Sequence, residues 1–90
     1  MSRLDEIRNE IDSVDSSIIE LLLKRRNLSL EVAKYKKEND IPIFDEKREA
    51  EKLLSVGDNT DDVSEKEYLE RIFISIMLES KMVQRDFIEE

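Results

Sequence analysis

The sequence predicts an all-α fold of three helices per chain: one long, one short and one of medium length, assembled as an intertwined helical homodimer. Three observations carry this. Apolar residues recur at alternating steps of three and four from Leu4 through Ile7, Ile11, Val14, Ile18 and Leu21 to Leu28, Val32 and Tyr35, the heptad seam of a long packed helix. The single glycine and the single proline of the 90 residues both fall between apolar-periodic stretches. Charged residues make up 42% of the chain, a composition suited to long solvated helices.

The first helix runs from Ser2 or Arg3 to about Asn39, roughly 54 Å at 1.5 Å per residue. Ser2 supplies a cap, and Asp5 and Glu6 sit in the positive first turn. Lys34, Lys36 and Lys37 suit the negative end. Pro42 forbids continuation and pushes Ile41 towards extended geometry. Asp45 caps a second helix over about 46 to 56, with Gly57 expected at the residue just past its end. A polar loop follows, and Ser64-Glu65-Lys66-Glu67 reads as a capping box opening a third helix over about 65 to 88. Its apolar face is Leu69, Ile72, Phe73, Ile76, Met77, Val83, Phe87 and Ile88. Ninety residues make one domain, spanning 1 to 90, with a thin core. The long first seam exceeds what two shorter helices cover, so a second copy of the chain is expected to complete it.

Composition narrows the function. There is no cysteine and no histidine, which removes disulfides, thiol nucleophiles, the usual zinc ligands and the commonest general base. Lack of cysteine fits a cytoplasmic protein. No apolar run approaches a membrane span and no signal peptide opens the chain, so no membrane partner is expected. A net charge of −8 argues against nucleic acid. Yet residues 24 to 37 carry Lys24, Arg25, Arg26, Lys34, Lys36 and Lys37 against Glu31 alone, a concentrated basic stretch suited to a small anion.

Arg25 occupies the one seam slot missing between Leu21 and Leu28. A guanidinium keeps its charge, so in a seam it needs an anion, from the protein or from a ligand. Lys36, three turns on, lies within ~20° of the same helix face and ~16 Å away; it either brackets that anion or is an ordinary solvated helix end. Arg8 lies ~25 Å before Arg25 and about 100° round the helix, so it is a surface residue or serves a partner's pocket. Arg48 and Glu49 follow the Asp45 cap. Glu49 suits a helix N-terminus, whereas Arg48 is disfavoured there and needs another reason. Ser80 and Gln84 are neutral polar groups one turn apart on the apolar third helix. Such a set has no nucleophile–base pair and no metal cluster; it suits electrostatic stabilisation of an anionic substrate.

Taken together, these residues resemble the all-helical, type II chorismate mutases. The resemblance covers nearly the whole chain. It lies in Ile7-Arg8-Asn9-Glu10-Ile11-Asp12 with Asp15, in Leu23-Lys24-Arg25-Arg26-Asn27-Leu28 and in Glu31-Val32-Ala33-Lys34-Tyr35-Lys36. It continues through Ile41-Pro42-Ile43-Phe44-Asp45, Arg48-Glu49 and Glu79-Ser80-Lys81-Met82-Val83-Gln84. It implies a homodimer that rearranges chorismate to prephenate with no cofactor and no metal. Arg8 of the partner, Arg25 and Arg48 would face the substrate carboxylates. Lys36 and Gln84 would donate to the ether oxygen of the breaking bond. Glu49 and the backbone at Asp45 would hold the ring hydroxyl, and Ser80 would sit by a carboxylate. The catalytic residues on this reading are Arg25, Lys36, Glu49 and Gln84. No dehydratase, dehydrogenase or regulatory domain is visible, so a stand-alone enzyme is expected. Two alternatives stand beside it: an isochorismate-pyruvate lyase of the same fold, and a non-catalytic helical dimerisation module.

Overall fold

A computed structural model of the chain describes residues 2–89. It has three helices, α1 (Arg3–Glu38), α2 (Glu46–Gly57) and α3 (Val63–Glu89), and no strand among the described residues. Both α1 and α2 pack on α3 and not on each other. Ser2 caps α1 by a reciprocal box: its hydroxyl accepts from the Asp5 N–H and the Asp5 carboxylate accepts from the Ser2 N–H.

The end of α1 is a Schellman-type turn. Ile41 N–H donates to the Lys36 carbonyl at 2.9 Å, Asn39 is the cap, and Asp40 takes a left-handed φ of 53°. Asp45 caps α2, accepting from the Arg48 N–H at 3.0 Å.

Two expected boundaries differ. α3 begins at Val63, because Asp62 rather than Ser64 takes the capping role: Asp62 Oδ1 accepts from the Glu65 N–H at 2.9 Å. Glu65 also accepts from Thr60 Oγ1, so the loop side chains start the helix a half-turn early. Gly57 is the last residue of α2 and has no positive φ. A Cβ there would stand 3.1 Å from Glu70 Oε1, the far end of a flexible side chain on α3.

The buried set among the described residues is small: Ala33, Val56, Gly57 and Met77, with the polar Ser29 and Gln84. Ser29 and Ala33 are small residues that let α1 approach α3. The apolar seam of α1 lies off this contact. Every described residue from Ser2 to Lys24 is exposed, and so are Leu28, Val32 and Tyr35 further along. The chain is 55 × 30 × 14 Å, a slab one helix thick along its shortest axis. Its radius of gyration is 16.6 Å, against about 12 Å for a compact domain of this length. The seam is thus apolar surface that a single chain does not cover.

Candidate active site

A cleft of about 390 Å³ opens where the C-terminal half of α1, the α1–α2 loop, the start of α2 and the second half of α3 converge. Seven of the eight residues singled out in the sequence line it: Arg25, Lys36, Asp45, Arg48, Glu49, Ser80 and Gln84. Arg8 does not; it sits on the exposed N-terminal stretch of α1, ~25 Å along the axis from Arg25.

Each side chain is held by its own element. On α1, Arg25 and Ser29 are one turn apart and both face α3. The Arg25 guanidinium donates to Ser80 Oγ, and Ser29 Oγ lies 3.1 Å from the same hydroxyl. Lys36 folds across the Schellman turn, and its Nζ donates to the Ile43 carbonyl at 2.6 Å. An ammonium has three donors, so two remain for a ligand. Arg48 and Glu49 follow the Asp45 cap in the first turn of α2. Glu49 meets Lys81 of α3, with Oε2 3.2 Å from Nζ.

The electrostatics are lopsided. Five cations, Arg25, Lys36, Arg48, Lys52 and Lys81, share the cleft with two carboxylates, Asp45 and Glu49. Among the described residues, neither Arg25 nor Arg48 nor Lys36 has an ion-pair partner. Burial, and after it the nearby charge of Arg48, press the Arg25 guanidinium below its ordinary range. Both causes disfavour a cation, yet arginine does not deprotonate at ordinary pH. A neutral hydroxyl returns ~1.5–3 kcal/mol to a charged donor, less than the several kcal/mol that withdrawing an ion from water costs. The cleft therefore has unmet demand for negative charge.

Gln84 completes the set. It is 8% exposed, and its Oε1 has no hydrogen-bond partner. The side chain lines the cleft and its amide carries two N–H donors, so a donor is on hand for a ligand oxygen.

Sequence reasoning assigned no role to Ser29, Lys52 or Lys81. Helical spacing held the signal: Ser29 is one turn after Arg25, Lys52 three residues after Glu49, and Lys81 three before Gln84. A second, larger groove of about 750 Å³ lies on the other side of Arg25, Ser29 and Ser80, lined mostly by apolar side chains such as Leu22, Ile72, Ile76 and Val83. No metal-binding group of acidic residues occurs among the described residues, and none of their helices is long and apolar enough to cross a membrane.

The sequence profile described as chorismate mutase type II matches residues 7–85, which span the cleft and all three helices. The chain belongs to the type II chorismate mutase family. Among its relatives is the chorismate mutase of Methanocaldococcus jannaschii, 30% identical in an alignment covering all of this chain and 92% of that protein. The bifunctional chorismate mutase/prephenate dehydratase of Buchnera aphidicola subsp. Schizaphis graminum is 35% identical over 92% of this chain, but this is only 22% of the relative. The T-protein of Enterobacter agglomerans is 40% identical over 61% of this chain and 15% of its own length. The chain thus spans about a fifth of the bifunctional relatives.

Proposed function

We propose that the chain is a chorismate mutase, catalysing the Claisen rearrangement of chorismate to prephenate without cofactor or metal, as a cytoplasmic homodimer whose single domain is residues 1–90. The observation that carries this reading is Arg25: a half-buried guanidinium, next to Arg48, whose partner is a hydroxyl and not a carboxylate. Such a pair asks for a dianion.

The reaction suits what the cleft contains. A pericyclic step needs no acid, base or nucleophile. Its transition state is a compact chair in which the ether oxygen gains negative charge as its C–O bond breaks. Arg25 and Arg48 pair with the two carboxylates and favour the folded conformer over the extended one. Ser80 sits beside the carboxylate that Arg25 takes. Lys36 and Gln84 donate to the ether oxygen and bind it more strongly as charge develops. Glu49 accepts from the ring hydroxyl, beside the backbone at Asp45.

The partner completes the site. The exposed seam of α1 fits against the seam and apolar groove of a second copy, and a two-fold brings each Arg8 to the other chain's cleft. The 14 Å thickness and large radius of gyration support this pairing.

The test is to incubate the purified protein with chorismate and follow its loss and the appearance of prephenate. Unchanged chorismate overturns the reading. Salicylate and pyruvate from isochorismate, with chorismate untouched, would make it a lyase.

A further inference from the structure

We propose that Lys81 is a positioning residue, holding the Glu49 carboxylate in the one orientation that receives the substrate's ring hydroxyl; this rests on the function proposed above. Glu49 projects from the first turn of α2 and Lys81 from α3. Lys81 Nζ lies 3.3 Å from Oε1 and 3.2 Å from Oε2, so the ammonium sits astride both oxygens. The same Nζ stands 4.8 Å from the centre of the Phe44 ring, which comes from the α1–α2 loop. Two helices and a loop meet at one ammonium.

This ion pair differs in kind from the others among the described residues. Arg3–Glu6 and Lys47–Glu51 join neighbours on one helix, with side chains more than half exposed. Lys81–Glu49 joins two helices, and both side chains are about a quarter exposed, 24% and 25%. Water and salt screen an exposed pair and its long side chains stay mobile; a sheltered pair keeps its geometry. Phe44 covers the ammonium with its ring face, the favourable side for a cation.

The chemistry explains why a carboxylate in this cleft needs such a tether. Glu49 has three rotatable bonds and sits in a helix first turn, where free backbone N–H groups compete for its oxygens. Left alone, it would sample several rotamers, and the hydroxyl would have to select one. An ionised carboxylate has about four lone-pair sites. After receiving Lys81 on both oxygens it still has capacity for one hydroxyl. Lys81 thus orders the acceptor without using it up.

The experiment combines kinetics with a side-chain measurement. Lys81→Met should lower kcat/KM for chorismate about tenfold, the scale of coupling within one network, while Lys81→Arg, which keeps a bidentate donor, should restore most of it. In a Glu49→Gln background, Lys81→Met should add little. Three-bond NMR couplings should report a single Glu49 χ1 rotamer in the free wild type and averaging in Lys81→Met. Wild-type kcat/KM in Lys81→Met, multiplication of the two substitutions' effects, or averaged couplings in the wild type would each overturn the role. A wild type that leaves chorismate unchanged overturns the proposed function instead, and the couplings still decide whether Lys81 holds Glu49.

Discussion

The Arg25 guanidinium on α1 donates to the Ser80 hydroxyl on α3, so a fixed positive charge inside the helix contact is answered by a neutral group. Ser80 is in turn within 3.1 Å of Ser29 Oγ. The three side chains tie α1 to α3 and leave the charge itself uncompensated.

Arg25→Leu is therefore expected to abolish activity while leaving the fold intact or more stable. Leucine fills the seam slot the heptad calls for, and removing a half-buried cation relieves its desolvation and its repulsion from Arg48. Ser80 keeps Ser29 as a partner. Thermal unfolding and a chorismate assay check this; a clearly destabilised variant that is still active would make Arg25 structural.

Arg8 and Lys36 are expected to act in one site from two chains. Arg8→Ala and Lys36→Ala should each be nearly inactive. Co-refolded in equal amounts, half the dimers are mixed, with both lesions in one site and none in the other, so activity should return to about a quarter of wild type. If heterodimers are demonstrated and no activity returns, Arg8 does not serve the partner's cleft.

The pH profile should separate the wild type from Gln84→Glu. Burial and Arg48 lower the affinity of Arg25 for its proton, but from so alkaline a starting point that it remains charged. A depressed cation would lose its proton only as pH rises, so neither mild acid nor mild alkali changes it. Gln84 does not titrate at all, and wild-type activity should stay nearly flat across that range. Gln84→Glu places a carboxylate against the developing oxyanion at neutral pH, where losing such a donor costs ~10²–10³ in rate. Protonation restores a donor, so this variant should partly recover as pH falls. Coincident profiles would remove Gln84 from the ether oxygen.

The two helix ends carry a stability prediction. Gly57 is helical with no positive φ, whereas Asp40 is the residue with φ of 53°. Gly57→Ala should stabilise by about 0.5–1 kcal/mol, since the Glu70 Oε1 it would meet at 3.1 Å ends a flexible side chain. Asp40→Gly should also stabilise, by relieving the left-handed backbone. Paired thermal melts at fixed protein concentration check both; a drop of several degrees in Gly57→Ala would mean that Glu70 does not give way.

Legibility varied along the chain for physical reasons. Asp45 and Ser2 were readable as caps because capping is a local hydrogen bond within three residues. The start of α3 was not, because Asp62 and Ser64 both offer capping chemistry and the Thr60 to Glu65 hydrogen bond favours the earlier start. Gly57 reads as a left-handed terminator until its backbone is seen to stay helical, with the left-handed φ falling on Asp40 at the end of α1 instead.

The sequence by itself determined the three helices and the seam, since periodicity assigns each side chain to a helix face. The resemblance to the family added Asp45 and the roles of Lys36, Arg48 and Glu49, which line one cleft with the rest. Arg25, Ser80 and Gln84 stood out because they break an apolar pattern. Lys81 breaks nothing: a lysine on a helix reads as solvated until another helix packs beside it. Only the tertiary structure set Glu49 of α2 against Lys81 of α3, and Lys36 against the Ile43 carbonyl. Side-chain spacing within a helix follows from covalent geometry; distances between helices follow from how closely they pack, which the small buried residues Ser29 and Ala33 set for α1 against α3.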